Sequence, residues 1–142
     1  MTDLRFGGSV WCNLDIALRK VDEIYKHEIK DLNVSVIEWY ILRELYDQDG
    51  QMASRLAQAV GRPPTSFTPI LDQLEGRGLT ERRVHPSDRR GVLIYLTARG
   101  KALRSQVETS AERIEKKLSQ RVTDKEWKSY QHVLANFQTL NS

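Results

Sequence analysis

The segment from Gly76 to Gly100 constrains the fold of this 142-residue chain more than any other part of it. Two strand-like runs, residues 79–84 and 92–96, flank a turn-rich stretch at residues 85–91, and this pattern predicts a β-hairpin. An exposed cationic hairpin that follows a helix can reach along a phosphate backbone and into a minor groove, so we interpret it as a DNA-binding wing. Asp88 is the only acid near its tip, whereas four arginines crowd it: Arg82, Arg83, Arg89 and Arg90.

Two helices joined by a short turn are predicted just before the hairpin. Residues 53–60 have the spacing of a short helix that Gly61 ends, and a second helix is expected from about Pro64 to Gly76. This order is typical of a helix-turn-helix, whose second helix is the recognition helix. The second helix opens with small hydroxyl residues, namely Thr65, Ser66 and Thr68.

Pro69 lies inside the predicted recognition helix. Proline removes one backbone hydrogen bond and clashes with the preceding turn. If the N-cap is Thr65 or a neighbour, Pro69 falls in or just past the first turn, where the cost is small. We therefore expect a helix whose first turn is loose or kinked.

Two further helices are predicted before this core. Apolar residues recur at helical spacing over residues 10–30, and a stripe this close to a terminus needs cover, which a partner chain would provide. Ser35 and Glu38 form a capping box, which starts a helix that stops at Asp49-Gly50.

Two more helices are predicted after the hairpin. Thr97 is the expected N-cap of one long helix that extends to Leu118, and a capping box of Thr123 and Glu126 starts a last helix that reaches Leu140. The expected fold class is mainly α with a small β-hairpin. A single domain, residues 1–142, would have its winged helix-turn-helix core at residues 34–97.

The distribution of charge supports a localised polyanion-binding face. Residues 53–104 contain ten Lys or Arg and four Asp or Glu, a net charge of +6, whereas the rest of the chain has 12 basic and 15 acidic residues, a net charge of −3. A basic middle between mildly acidic flanks favours binding to nucleic acid at one surface over general stickiness.

The residue inventory argues against an enzyme. A single cysteine, Cys12, allows no internal disulfide, and three scattered histidines give no metal-ligand spacing. The chain has neither a Gly-rich phosphate loop nor a nucleophile elbow, so no cofactor or metal is expected. We also see no signal peptide and no membrane span, which makes the cytoplasm the expected location.

Several segments carry a family resemblance, namely residues 38–45, Leu56-Ala57, Gly61, residues 71–75, Gly78-Leu79, Asp88-Arg89-Arg90 and residues 92–100. Their order and identity resemble the MarR family of dimeric winged-helix transcription regulators. The resemblance implies a homodimer whose terminal helices, residues 1–33 and 98–142, interlock, and whose two winged helices read a pseudo-palindromic operator in double-stranded DNA. The apolar stripe of residues 103–118 and the aromatic residues of the last helix are expected in the dimer interface. The resemblance also implies a repressor, often released by a small phenolic or aromatic ligand or by an oxidant.

The expected DNA contacts follow from side-chain chemistry. Hydroxyl groups at the start of the recognition helix can donate to phosphates and base edges, and the helix N-terminus attracts phosphate. Phe67 is expected to anchor the helix in the core. By the family resemblance, Asp88 braces the wing tip while Arg89 or Arg90 enters the minor groove. The complete expected set is Ser54, Arg55, Arg62, Pro64, Thr65, Ser66, Thr68, Arg77, Asp88, Arg89 and Arg90. Within it, Arg62 and Arg77 are expected to clamp phosphates.

An effector pocket, if there is one, is expected between the terminal helices and the helix after Ser35. Aromatic side chains would form its wall and a basic one would meet a carboxylate, although core or dimer packing explains each aromatic individually. The candidates are Trp11, Tyr25, Trp39, Tyr40, His27 and Arg43.

Cys12 is a weaker candidate for a redox sensor. Some members of the resembled family sense hydroperoxides through one cysteine on the first helix. A sensing thiol needs a low pKa, but the Trp-Cys-Asn-Leu-Asp context offers no cation, which favours an inert small residue.

Two other functions fit the same fold. A non-specific architectural DNA-binding protein would show a steep salt dependence and little sequence preference. A winged-helix protein-interaction or RNA-binding module is the second alternative, since fold does not fix function. The five arginines between Arg77 and Arg90 count against pure protein docking.

Overall fold

The computed structural model describes residues 3–141. Within this range, three short strands form one sheet: β1 (Gln51–Met52), β2 (Thr80–Val84) and β3 (Val92–Leu96). The α-helices in the same range are α1 (Val10–Ile29), α2 (Val36–Asp47), α3 (Ala53–Ala59), α4 (Pro64–Gly76), α5 (Ala98–Ala102), α6 (Arg104–Ser119) and α7 (Asp124–Phe137). The expected mainly α fold with a hairpin is confirmed.

Local capping determines where the longer helices begin. At α2, the Glu38 backbone N–H donates to Ser35 Oγ at 3.2 Å, and the Ser35 N–H donates to Glu38 Oε1 at 3.1 Å. Thr123 and Glu126 make the same reciprocal pair at the start of α7. Both capping boxes expected from the sequence are therefore confirmed, and each satisfies two backbone N–H groups that a helix terminus leaves free.

The recognition helix has the bounds expected from the sequence, Pro64–Gly76. Its N-cap is Pro63, two residues before the Thr65 considered in the sequence analysis, and Pro64 occupies the first helical position. Proline suits this position because its fixed φ is helical and its missing N–H would have no intrahelical partner. Pro69 consequently lies in the second turn of α4, where it removes one hydrogen bond from an otherwise continuous helix.

The helix after the hairpin is divided in two. Thr97 caps α5 as expected, with Oγ1 accepting from the Gly100 N–H at 3.1 Å. The helix is interrupted at Leu103, whose N–H donates to the carbonyl three residues before it, that of Gly100, at 3.3 Å. The next helix, α6, starts at Arg104. The predicted single long helix is wrong at this point. The last helix also ends at Phe137, short of the expected Leu140.

The hairpin is confirmed and lies in a three-stranded sheet of order β1-β3-β2. Strands β2 and β3 pair antiparallel from Thr80 opposite Leu96 to Val84 opposite Val92. Strand β1, which consists of two residues between α2 and α3, pairs antiparallel with the other side of β3. No sequence pattern predicts β1, since two residues are too few for an alternation of apolar and polar side chains. We define the wing as residues 80–96 and its tip as residues 85–91.

The base of the wing is fastened to the end of α2. Asp49 Oδ1 accepts from the Leu96 N–H at 2.8 Å, and the Tyr46 hydroxyl donates to the Gly100 carbonyl at 2.7 Å. Gly50 has φ +74°, and a side chain there would meet the Tyr95 ring at 2.6 Å. The end of α2 and the residues after it are thus held to β3 by the Asp49 hydrogen bond and by close packing at Gly50, and to α5 by the Tyr46 hydrogen bond.

One apolar core joins α2, α3, α4, β3 and α6. Phe67 is 2% exposed and anchors α4 in this core, as expected. The apolar stripe of α6 lies in the same core, whereas the sequence analysis assigns it to the dimer interface together with α7. That part of the expectation is wrong, because the stripe is buried within its own chain at Val107, Ala111 and Ile114. None of the helices within residues 3–141 is both long and apolar enough to cross a membrane.

Candidate nucleic-acid interface

The first half of α4 exposes the hydroxyl groups expected to contact DNA. Thr65, Ser66 and Thr68 are exposed, as is Pro64, while Phe67 between them turns into the core. The Ser66 hydroxyl donates to the Pro63 carbonyl at 3.2 Å, which keeps its oxygen lone pairs available to outside donors. This part of the recognition helix therefore presents small polar groups on a fixed backbone.

The wing tip is organised by short-range hydrogen bonds. Asp88 Oδ1 accepts from the Arg90 N–H at 3.0 Å and lies 3.7 Å from Arg90 Nε. His85 Nδ1 accepts from the N–H groups of Ser87 and Asp88, both at 3.1 Å. Sequence reasoning missed this role for His85, although a histidine before Pro-Ser-Asp is placed well to accept from a following turn. The bracing role expected for Asp88 has a geometric basis.

The two arginines at the tip leave their charge accessible. The Arg90 side chain is 95% exposed and its one ion-pair contact within the described residues, to Asp88, is long. Arg89 is likewise exposed. A guanidinium on a braced turn with no strong internal partner can enter a groove of DNA without first breaking a compact ion pair.

The two arginines in the strand are engaged within the chain. Arg82 bridges to α4, with Nη2 at 2.7 Å from Asp72 Oδ1 and Nη1 on Glu75. Burial alone would lower the pKa of Arg82, but the hydrogen bonds to Asp72 and Glu75 more than offset it, and the pKa is raised. Arg83 Nε donates to Glu81 Oε1 at 3.0 Å while the guanidinium carbon lies 4.0 Å from the centre of the Tyr95 ring.

The remaining candidates, one serine and three arginines, differ in their surroundings. Ser54 and Arg55 are exposed on α3 and line an open surface hollow there. Arg62, just before α4, donates from Nη1 to the Val60 carbonyl at 3.2 Å, the one side-chain hydrogen bond it makes to the described residues. Arg77, at the other end of α4, is held by two groups: Nη1 donates to the Asn33 carbonyl at 2.9 Å and Nε lies 2.9 Å from Glu38 Oε2.

A groove of about 580 Å³ lies between α1, α2 and α7. Four of the expected effector residues line it, and the structure adds Tyr130 and Leu134 from α7. Trp39 packs edge-on against Tyr25 at 5.2 Å between ring centres, and Arg43 lies over the Trp39 ring at 5.2 Å. The four expected residues that the structure brings together are Tyr25, Trp39, Tyr40 and Arg43.

Two expected members of the pocket lie elsewhere. Trp11 is 74% exposed near the start of α1, and His27 is exposed near its end; neither lines the groove. The α1 residues that do line it are Leu18, Val21, Asp22 and Tyr25, one to two turns away. The prediction was wrong for these two residues because the sequence shows that α1 is amphipathic but not which stretch faces α2.

Cys12 lies in the first turn of α1 and is partly exposed. Its backbone N–H donates to Ser9 Oγ at 3.3 Å. Among residues 3–141, no hydrogen bond involves the Cys12 sulfur. The suggestion of redox sensing stays an untested prediction.

The fold defines the class of protein: a winged helix-turn-helix with additional terminal helices. Residues 34–92, which span α2 to the start of β3, match the sequence model of the MarR family. The resemblance inferred from the sequence is therefore confirmed. Residues 34–92 are thus a MarR-family domain, and members of this family are DNA-binding transcription regulators.

Solved structures share the fold over nearly the full chain. The transcriptional repressor CouR, bound to a 23-mer DNA duplex, is 26% identical with a TM-score of 0.85, covering 96% of this chain and 99% of CouR. BpsR of Bordetella bronchiseptica is 22% identical with a TM-score of 0.88, covering 99% and 100%. A mutant MarR from E. coli, complexed with operator DNA, is 22% identical with a TM-score of 0.82, covering 87% and 89%.

Proposed function

We propose that this protein is a homodimeric transcriptional repressor that binds a pseudo-palindromic operator and is released by a small aromatic ligand. One observation carries the proposal: α4 exposes its hydroxyl groups beside a wing whose tip arginines are free of compact ion pairs within the described chain. In a MarR-family chain, this combination provides both base-edge chemistry and groove-directed charge.

Each element has a distinct part in the proposed complex. Thr65, Ser66 and Thr68 at the exposed start of α4 read base edges in the major groove, because hydroxyls both donate and accept. The tip arginines enter the adjacent minor groove, whose negative potential is greatest where it is narrow. Arg55 and Arg62, both with side chains directed to the surface, contact phosphates and set the register.

The proposed homodimer rests on uncovered apolar surface at both ends of the chain. Every residue of α7 retains some exposure, and large apolar side chains remain exposed on α7 and on the N-terminal segment. A second copy would cover this surface and hold two α4 helices about 34 Å apart, the spacing of successive major grooves. The exposed side chains are Leu4, Phe6, Val10, Trp11, Leu14, Leu18, Tyr130, Val133, Phe137 and Leu140.

The groove between α1, α2 and α7 is the proposed effector site. Its aromatic wall suits a flat ring, and the Arg43 guanidinium is available for a carboxylate. Asp22, which also lines the groove, forms an ion pair with Lys26 at 3.0 Å, and this pairing reduces the repulsion between Asp22 and the carboxylate of a ligand. DNA binding by the structural neighbour BpsR is regulated by 6-hydroxynicotinic acid, which is an aromatic carboxylic acid.

The decisive test is a fluorescence-anisotropy titration against the intergenic DNA upstream of the protein's own gene and against scrambled DNA of equal length. A preference of about 100-fold or more, roughly 2.7 kcal/mol, supports sequence-specific regulation. Equal affinity for both DNAs at every salt concentration would instead establish an architectural role. If neither DNA binds, a protein-interaction module replaces the proposal.

Oligomeric state and ligand release need their own measurements. Sedimentation velocity should show that Phe137→Asp converts a dimer into monomers, whereas Val84→Asp, at an exposed apolar position on the wing, should leave the dimer intact. Aromatic carboxylates such as 6-hydroxynicotinic acid should weaken operator binding, and Arg43→Gln should remove that response while leaving ligand-free binding unchanged. A ligand response that survives in Arg43→Gln would contradict the proposed carboxylate contact.

A further inference from the structure

Glu38 is a buried carboxylate whose two oxygens have different partners. Its side chain is 1% exposed. Oε1 accepts the capping hydrogen bond from the Ser35 N–H, whereas Oε2 accepts no hydrogen bond from the described residues and lies 2.9 Å from Arg77 Nε. The contact at Oε2 is thus an ion pair in which the N–H does not point at the oxygen. A buried charge needs a compensating charge, and Arg77 provides it.

Arg77 is the C-cap residue of the recognition helix, and Glu38 lies in the first turn of α2. Arg77 also donates through Nη1 to the Asn33 carbonyl at 2.9 Å, in the turn that precedes α2. The guanidinium therefore fastens the end of α4 to the start of α2 at two points. By contrast, Arg62 at the opposite end of α4 contacts one carbonyl, that of Val60.

We propose that Glu38 and Arg77 are a positioning pair that fixes the orientation of the recognition helix, and that Arg77 does not contact a DNA phosphate. To reach a phosphate, Arg77 would have to leave Glu38 buried and uncompensated, which is unfavourable. Arg77 instead acts through α4: the pair holds the helix at the angle in which its hydroxyl groups reach base edges together. The inference rests on the proposed operator binding for its functional readout.

A positioning residue and a phosphate contact differ in their salt dependence. Loss of a phosphate contact reduces the slope of log K against log salt by about one unit for each contact and weakens all sequences alike. Loss of helix orientation instead weakens the operator complex while non-specific binding and the slope stay the same. The ratio of operator to scrambled affinity therefore separates the two roles.

The experiment compares Glu38→Gln, Arg77→Gln and the double variant with wild type. Glutamine at position 38 preserves the capping box, since Gln also serves at N3. Both single variants should lower the operator-to-scrambled ratio at least about tenfold with an unchanged slope, and the double variant should be no worse than either, because the two residues act as a unit. The proposal would be overturned if Arg77→Gln flattened the salt slope and left the operator-to-scrambled ratio unchanged, while Glu38→Gln bound both DNAs as wild type does.

Two control variants distinguish helix positioning from a phosphate contact and from general destabilisation. Arg62→Gln, the matched change at the other end of α4, should flatten the slope and leave the ratio unchanged. Glu28→Gln removes another shielded carboxylate, which pairs with Arg113 at 3.4 Å and with Lys117 on α6, and should change neither DNA parameter. A fall in the ratio for Glu28→Gln equal to that for Glu38→Gln would overturn the proposal, since general destabilisation would then explain both.

Hydrogen exchange of the free protein tests the pair without DNA. The Arg77 and Leu79 N–H groups close the end of α4 by donating to Gln73 and Leu74 at 3.0 and 3.1 Å. These amides should exchange at least about tenfold faster in Glu38→Gln than in wild type or in Glu28→Gln. Unchanged exchange would reject the positioning pair, whatever the DNA result. If wild type shows no operator preference while this exchange effect is present, the proposed function fails and the pair stands.

Discussion

The strand arginines and the tip arginines of the wing have the same chemistry and different uses. Arg82 and Arg83 lie against Asp72, Glu75 and Glu81, and their positive charge is largely balanced within the chain. Arg89 and Arg90, less than ten residues further on, extend from a turn that hydrogen bonds hold in place. The charge available to a ligand is therefore smaller than the count of arginines in the hairpin, and it is concentrated at the tip.

The same contrast applies to stability. The strand half of the wing is tied down at its base: Asp49 accepts a hydrogen bond from the Leu96 N–H, Tyr46 donates to Gly100 in α5, and Gly100 packs closely against Leu79. The tip is held by its own local bonds. Substitutions at the base should thus alter folding, and substitutions at the tip should alter DNA binding. Four predictions test this division, from the largest expected effect to the smallest.

Gly100→Ala should have the largest effect on folding. A Cβ at this position would overlap the Leu79 backbone carbonyl, which cannot move without shifting the strand. We expect a loss of about 3 kcal/mol in the free energy of unfolding, measured by urea denaturation. Gly76→Ala is the matched control: an added Cβ there meets no atom within 4 Å, and it should stabilise by up to about 1 kcal/mol. Equal stability of the two variants would show that the base is not close-packed.

Replacing both Arg89 and Arg90 by alanine should weaken DNA binding without affecting folding. Each lost phosphate or groove contact should lower the slope of log K against log salt by about one unit. The operator affinity of the double variant should fall at least about tenfold at low salt. The midpoint of urea unfolding should match wild type, because the tip bonds that hold the turn are made by backbone N–H groups, His85 and Asp88. If the variant unfolds more easily while its salt slope stays at the wild-type value, the roles of tip and base are reversed.

Stability at alkaline pH should report on the Tyr46 anchor at the base. Burial, with a smaller contribution from Glu108, raises the pKa of Tyr46 to about 12 although Arg104 opposes the shift. The folded state therefore favours the protonated hydroxyl. Its contribution is complete below the unfolded pKa of about 10, and it is lost as the pH rises through 12. Between these values we expect a decline of about 1–2 kcal/mol in unfolding free energy.

Tyr46→Phe separates this titration from other alkaline effects. The variant lacks the hydrogen bond to the Gly100 carbonyl, so it should be less stable near neutral pH by about 1 kcal/mol. Its stability should then fall less steeply than that of wild type between pH 10 and 12. Parallel curves for the two proteins in this window would assign the decline to other groups.

Glu81→Gln should have the smallest effect. The change removes the negative charge beside Arg83 but leaves that guanidinium over the Tyr95 ring. Operator affinity at low salt should increase by no more than about twofold, through the added net charge alone, and the salt slope should not change. A slope steeper by one unit would mean that Arg83 had moved to a phosphate, and the distinction between strand and tip arginines would then depend on Glu81.

Local patterns in the sequence predicted most of the fold. Both capping boxes, the N-cap at Thr97 and the hairpin bounds depend on residues within a few positions of each other, and such interactions can be identified from spacing alone. The bounds of α4 were also predicted, although its N-cap is Pro63 and not the hydroxyl residue Thr65. Strand β1 was missed because it exists only through its pairing with β3.

The candidate site was less predictable where partners are distant in the chain. Arg77 was expected to contact phosphate, but its neighbour Glu38 is 39 positions away and was recognised only as a capping residue. The periodic apolar residues of α6 predicted that one face of this helix would be buried. Periodicity does not tell whether the residues that bury it belong to the same chain or to a partner. Exposed residues such as Thr65 and Arg90 could be chosen correctly as surface groups because nothing in the core competes for them.

The order of the three strands has a consequence for solubility. Because β3 is central, β2 is an edge strand, with one row of backbone hydrogen-bonding groups open to an incoming strand. Charged side chains run along this edge at Glu81, Arg82 and Arg83, and a strand that docked there would have to desolvate them. The residues whose charge is balanced within the chain therefore protect the protein from edge-to-edge self-association between wings.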